Sequence, residues 1–237
     1  APAQRIADVA PVHRQQSQDR PSASGLRTTT PMVGMVYSDS LGSTNRTVGS
    51  LYYKPRGTVE GTLLPGTEGA HDVVFSPDGA WVAFIQNGRV VKRPVQGGAT
   101  VTLAEDAGDN FTALDWLPDG TILYEIDDGD MLVRISEDGS QPPDTLADPV
   151  SLRWARGLPG GDAALLLNCP GCSLGVADFA TGEIDYVLDN VARAWYLPSG
   201  HIVYVRSDGA VFATAFDVET RTMAPGGRRV LPRDSRL

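Results

Sequence analysis

Phe75-Ser76-Pro77-Asp78-Gly79, followed at once by Ala80-Trp81-Val82-Ala83-Phe84-Ile85, decides how the rest of the chain is read. The same order recurs as Trp116-Leu117-Pro118-Asp119-Gly120, as the weaker Gly157-Leu158-Pro159-Gly160-Gly161, and as Tyr196-Leu197-Pro198-Ser199-Gly200. The prolines at 77, 118, 159 and 198 are therefore 41, 41 and 39 residues apart. A period of roughly 40 residues with strand-like content marks a β-propeller, in which four-stranded sheets stack radially on their neighbours. Proline supplies φ near −65° at the start of each turn, Asp bonds its own following backbone, and Gly takes the left-handed position that other residues resist. Two residues before the prolines stand Phe75, Trp116, Gly157 and Tyr196, three of them aromatic. Stacked sheets need bulky side chains between them, and each buried ring is expected to contribute roughly 1.5–3 kcal/mol.

Outward from this unit the four-beat order is clearest in residues 71–104. His71 to Ser76 reads as an inner strand and Ala80 to Gln86 as its return. Asn87-Gly88 is the two-residue hairpin signal, Arg89 to Pro94 a third strand, and Thr100 to Leu103 a fourth. The pattern predicts an all-β chain, a β-propeller of about five recognisable four-stranded blades at 31–66, 71–104, 112–147, 151–189 and 192–231. The first is incomplete, with an outer strand at Leu63-Leu64, and the last ends with a strand at Arg229 to Leu231. Residues 1–30, from Ala1 to Thr30, carry Gln, Ser and Thr with no sustained apolar period. Such a segment buries too little to offset its ordering entropy, so it is expected to be a polar arm that serves as a linker or binds a partner.

Net charge is −9 with 29 acidic residues, which argues against a nucleic-acid partner, since phosphate binding rests on a basic footprint. Only Lys54 and Lys92 are lysines. No apolar run approaches the length that spans a bilayer. The start, Ala1-Pro2-Ala3-Gln4, reads either as a mature end left after cleavage at a small-residue site or as an arbitrary fragment boundary.

The segments Leu51 to Pro55, Leu64 to Ala70, Phe75 to Gly79, Val90 to Val95 with Gly97-Gly98, Trp116 to Ile122, Tyr196 to Tyr204 and Phe212 to Phe216 resemble TolB-type, or Trp-Asp-type, propeller repeats of bacterial extracytoplasmic proteins. They are most similar to the sensor propellers of certain bacterial serine/threonine protein kinases. The resemblance covers roughly residues 50–231. It implies an extracytoplasmic, periplasmic location in a bacterium and a protein partner, including a membrane-protein complex. It is specific for fold and much less so for function. The Gly-rich loop, strand lysine and catalytic-loop motifs of a kinase are all missing from this chain, so it does not itself transfer phosphate.

Motifs with a chemical meaning each have a plainer reading. Gly171-Cys172-Ser173-Leu174-Gly175 has the nucleophile-elbow spacing, with Asp185 or Asp189 and then His201 downstream. That chemistry needs a strand-to-helix bend, and here the pentapeptide falls between two propeller strands, so no catalytic residue is expected. Cys169-Pro170-Gly171-Cys172 supplies two of the four ligands a closed zinc site needs. A disulfide between Cys169 and Cys172 is the favoured reading, ahead of free thiols and of metal. Blade geometry puts Glu68, His71, Glu105, Asp106, Asp109, Asp127, Asp128 and Asp130 on a common rim. Solvated turn chemistry is the ordinary reading; a Ca²⁺-type cation or a basic partner at Asp106, Asp109, Asp127, Asp128 and Asp130 is the alternative. Trp154 and Trp195 are expected in the inter-blade core rather than as ligand platforms, and Arg153, Arg156 and Arg193 in salt bridges rather than lining a central channel that attracts an anion. No cofactor is implied. These readings converge on a non-catalytic, exported interaction or scaffold module docked on a membrane assembly. The alternatives are the ligand-sensing domain of a receptor-type kinase and, last, a propeller hydrolase or lyase.

Overall fold

The computed structural model describes residues 34–38, 49–108, 113–126, 131–147, 151–169 and 171–230. The proposed arm, Ala1 to Thr30, lies outside them, as do Asp109, Asp127, Asp128, Asp130 and Pro170. The chain is an all-β propeller whose described residues form strands and turns without a helix. The first sheet has three strands, β1 (Gly34–Ser38), β2 (Leu51–Pro55) and β3 (Thr62–Leu63). The second runs in chain order through β4 (His71–Phe75), β5 (Trp81–Gln86), β6 (Arg89–Pro94) and β7 (Val101–Ala104). The third holds β8 (Leu114–Trp116), β9 (Thr121–Ile126), β10 (Met131–Ser136) and β11 (Asp144–Ala147). The fourth holds β12 (Leu152–Gly157), β13 (Ala163–Asn168), β14 (Ser173–Asp178) and β15 (Ile184–Leu188). The fifth is built on β16 (Val191–Leu197), β17 (His201–Arg206) and β18 (Val211–Asp217), with β19 (Thr222–Met223) and β20 (Arg228–Arg229) both pairing β18.

Turn chemistry sets these registers. Gly79, Gly120, Gly161 and Gly200 each donate a backbone hydrogen bond to the residue three before them, Ser76, Leu117, Leu158 and Leu197, at 2.8–3.2 Å. All four glycines have positive φ, between 71° and 83°. The weak Leu158-Pro159-Gly160-Gly161 repeat thus closes the same turn as the others. Asn87 and Gly88 adopt φ of 53° and 71°, the left-handed pair that matches strand twist, and hold Gln86 opposite Arg89.

Side chains alternate across each sheet, so one strand feeds two interfaces. On β5, Val82 and Phe84 join the apolar cluster with the first sheet, while Ala83 and Ile85 join the cluster with the third. Clusters of the same kind lie between the third and fourth sheets and between the fourth and fifth. Gly157 stands where the other three repeats carry an aromatic: a Cβ there would lie 1.8 Å from Leu117 Cδ2, so the preceding sheet needs a bare backbone at this point.

Three expectations need correction. The outer strand of the first sheet is Thr62–Leu63; Leu64 is instead buried, its N–H bonded to the Leu51 carbonyl at 2.8 Å. The last strand starts at Arg228, one residue early, with β19 before it; the Val230 N–H continues the same register by bonding the Val211 carbonyl at 2.8 Å, and Leu231 lies outside the described residues. Trp154 is buried between the fourth and fifth sheets, but Trp195 is only half-buried. Its neighbours Ala194 and Tyr196 face the fourth sheet, so the alternation turns Trp195 to the other side.

Candidate functional site

The proline turns lie on one face of the stack, the turn face, and the Asn87-Gly88 and Cys169–Cys172 tips on the opposite hairpin face. Between the second and third sheets the apolar core stops short of the turn face. The next inward positions after Ala83 and Val90 are Trp81 on β5 and Lys92 on β6, and the third sheet answers with Trp116. A cavity of about 340 Å³ opens there, lined by these three residues, the Ser76-Pro77-Asp78 and Pro118-Asp119-Gly120 turns, and Glu137. The Lys92 ammonium lies 4.9 Å from the centre of the Trp81 ring system and 5.8 Å from that of Trp116, within cation–π range of both.

The three carboxylates of this cavity are tied down by local turns. Asp78 Oδ1 accepts from Ser76 Oγ at 2.6 Å and from the Ala80 N–H at 2.9 Å. These bonds, the Ser76 hydroxyl first, hold its pKa below the usual aspartate value. Asp119 Oδ1 accepts from Thr121 N–H at 2.9 Å and Thr121 Oγ1 at 2.6 Å. Glu137 Oε2 accepts from Trp116 Nε1 at 2.9 Å. In each case the bonds fall on a single carboxylate oxygen. With Lys92 the formal charge of the cavity is −2, and the arrangement offers ring faces and carboxylate acceptors at one place.

At the third–fourth and fourth–fifth junctions an arginine stands beside carboxylates. Arg134 pairs with Asp144 at 3.1 Å and stands 5.6 Å over Phe179 of the fourth sheet. Arg221, held at φ 55° in the turn after β18, bonds Asp162 at 2.9 Å and also Asp178.

On the hairpin face the expected rim is only partly described. Glu105 approaches Arg89 at 3.9 Å, His71 bonds its neighbour Asp72 at 2.9 Å, and Gln86 holds the Glu68 carbonyl at 2.8 Å. Asp106 Oδ1 accepts from the Tyr124 hydroxyl at 3.0 Å, and burial followed by this carboxylate pushes the Tyr124 pKa up. Among the described residues no group of three or more His, Cys, Asp or Glu side chains could hold a metal. Cys169 and Cys172 are disulfide-bonded, with Cα atoms 4.1 Å apart. The Cys172 carbonyl accepts from the Val191 N–H at 2.9 Å, so this tip anchors the start of the fifth sheet. Ser173 Oγ donates to Asp189 at 2.7 Å, whereas His201 Nδ1 lies 2.9 Å from the Ser199 carbonyl. Ser173 opens β14 at the hairpin face and His201 opens β17 at the turn face, opposite ends of six-residue strands. At roughly 3.3 Å per residue they are far beyond proton-transfer reach. Arg156 Nη1 bonds the Leu114 carbonyl across the third and fourth sheets, and Arg153 and Arg193 are also partnered.

Trp81, Lys92 and Glu137 were not singled out from sequence. A signal existed in part: period-two alternation with the Asn87-Gly88 hairpin puts Trp81 and Lys92 on one face, and Lys92 is one of two lysines.

Neither a family model nor a curated protein matches the sequence. The fold is similar to that of TolB from Acinetobacter baumannii, with TM-score 0.61 and 16% identity over 83% of this chain and 53% of that one. It is also similar to a chain in a nidogen/laminin complex, with TM-score 0.62 and 11% identity over 85% of this chain and 78% of that one. A third likeness is to dipeptidyl peptidase 4 from Porphyromonas gingivalis, with TM-score 0.54 and 11% identity over 84% of this chain and 38% of that one. This chain spans about half the length of the TolB it matches. At such identities the likeness carries the fold and nothing finer: the chain is a β-propeller with TolB-type structural neighbours.

Proposed function

We propose that this propeller is a non-catalytic interaction module, exported across a bacterial inner membrane and docked as an accessory subunit on a membrane-protein assembly. The observation that carries the reading is the turn face: four turns with the same backbone hydrogen bond on stacked sheets, with a cavity of about 340 Å³ lined by Trp81, Lys92, Trp116 and three carboxylates. Rigid elements presenting short, pre-ordered turns suit binding, because little entropy is lost on contact. The nidogen likeness comes from a structure of a nidogen/laminin complex. The Cys169–Cys172 bond fits an oxidising compartment. Ser173 and His201, at opposite ends of their sheets, speak against the hydrolase reading.

The test is native co-purification from envelope fractions with the whole chain and with residues 1–30 deleted. Recovery of a defined membrane complex, lost on deletion, supports docking through the arm. Thiols that react with alkylating reagent in intact cells without reductant count against export. A second reading, the ligand-sensing part of a receptor-type serine/threonine kinase, is favoured by the cavity's small-ligand size. Coding sequence upstream of Ala1 that specifies a membrane span and a kinase domain decides for it.

A further inference from the structure

We propose that the cavity between the second and third sheets is a guanidinium-binding site that takes an arginine side chain of the partner; this rests on the interaction-module reading above. The argument starts from the chain's own precedent. On the same face, between the fourth and fifth sheets, Arg221 reaches across the junction and bonds Asp162 and Asp178 together. Between the third and fourth sheets, Arg134 combines a carboxylate, Asp144, with an aromatic face, Phe179. The second–third junction has both kinds of group, three carboxylates and two indoles, yet among the described residues its lining cation is Lys92, at the strand position Arg134 holds in the next sheet, and no arginine.

The chemistry of the lining selects the ligand. Bonds from the Ser76, Ala80, Thr121 and Trp116 donors fall on Asp78 Oδ1, Asp119 Oδ1 and Glu137 Oε2, and the second oxygen of each carboxylate accepts none of them. A planar cation stacks flat on an indole while donating a two-pronged fork to a carboxylate, a geometry a compact ammonium lacks. Lys92 lies over both rings and, as a like charge, competes with and weakens a cation bound there. An anion would meet Lys92 alone against three carboxylates. The sign of the Lys92 effect therefore separates a cation site from an anion site.

The experiment follows the four indole N–H cross-peaks of the whole chain by NMR, assigned with Trp81→Phe and Trp116→Phe, during titration with Nα-acetyl-L-argininamide. The expected result is saturable shifts at Trp81 and Trp116 with Trp154 and Trp195 unmoved. Nα-acetyl-L-lysinamide should bind more weakly and Nα-acetyl-L-glutamate amide should not bind. Glu137→Gln, which keeps an acceptor for Trp116, should weaken argininamide about tenfold, as loss of one charge-assisted bond does. Asp119→Asn provides a second variant should Glu137→Gln disturb the reference indoles, and Lys92→Met should tighten binding several-fold. The proposal is overturned by no saturable shift up to the solubility of the probe, by the glutamate compound binding in its place, or by Lys92→Met abolishing binding. Co-purification separates the two claims. A partner retained by the Asp119→Asn/Glu137→Gln variant and not displaced by argininamide overturns the arginine site and leaves the module standing. Argininamide binding with no partner recovered does the reverse.

Discussion

The junction of the second and third sheets and that of the fourth and fifth are built on the same strands in the same order, and they end differently. Position for position, Trp81, Lys92 and Trp116 in the first correspond to Ala163, Val176 and Tyr196 in the second. Small and aliphatic residues let the fourth and fifth sheets meet all the way to the turn face, where Tyr196 packs edge-on against Phe216 at 6.2 Å and Arg221 ties the two sheets together. Two indoles and an ammonium cannot close in that way, so the other junction stays open around them. A repeat fixes the strand; the residues at these three inward positions decide whether the interface becomes core or site.

The largest expected difference is in stability. Trp154 lies wholly inside the closed junction, so Trp154→Ala leaves a void among close-packed neighbours and should cost about 3–5 kcal/mol. Trp81 already borders a cavity, and Trp81→Ala should cost less than half as much. Urea unfolding of both variants checks this, and equal losses would mean that the open junction is not distinct. Next comes the junction between them. Gly157→Ala drives a Cβ into Leu117 and should cost about 1–3 kcal/mol, relieved when Leu117→Ala is added. A double-mutant cycle with no coupling would show that some other contact requires the glycine.

Smaller again is the effect of the Cys169–Cys172 bond. It closes a very short loop, and chain-entropy arguments give about 2 kcal/mol for its removal. Because the Cys172 carbonyl receives the first N–H of β16, reduction or Cys169→Ser/Cys172→Ser should loosen the start of the fifth sheet first. Hydrogen exchange at Val191, compared with Trp81 and Trp116, reports it. Equal loss of protection at both junctions would break the comparison.

Sequence carried the architecture because each blade repeats a local device. Proline, an Asx residue and glycine specify a turn within four residues, and Asn87-Gly88 specifies a hairpin within two. Such signals survive even in Leu158-Pro159-Gly160-Gly161, where only the glycine and proline remain. Long-range matters were not legible. Gly157 looks like a lost aromatic until Leu117, forty residues earlier in chain order, is seen against it. Trp195 looks like core until its face is found turned from the fourth sheet. Thr222–Met223 is too short to announce a strand. The cavity needs Trp81 and Lys92 from one repeat and Trp116 and Glu137 from the next, so no contiguous motif marks it.

The smallest predicted effect concerns acid, and it falls on both junctions. Asp78 and Asp138, on the second and third sheets, are held below the usual aspartate range by the hydroxyls of Ser76 and Ser140, Asp138 down to about 2. Asp178 and Asp217, on the fourth and fifth, are lowered chiefly by the backbone N–H groups of Ala180 and Thr220. A carboxyl whose folded pKa is depressed stabilises the fold above its unfolded value, about 3.9, and loses that contribution as pH falls through the folded value. These four groups should therefore leave the urea midpoint unchanged between neutrality and about pH 5 and lower it progressively below about pH 4. Protonation of Asp178 also strips Arg221 of one partner, whereas the bonds on Asp78 and Asp138 come from Ser76, Ala80 and Ser140. Acid should thus open the closed junction more than the open one. Indole N–H exchange at Trp154 that accelerates below pH 4 ahead of Trp116 would show it, and the opposite order would mean that Arg221 contributes nothing to closing the fourth and fifth sheets.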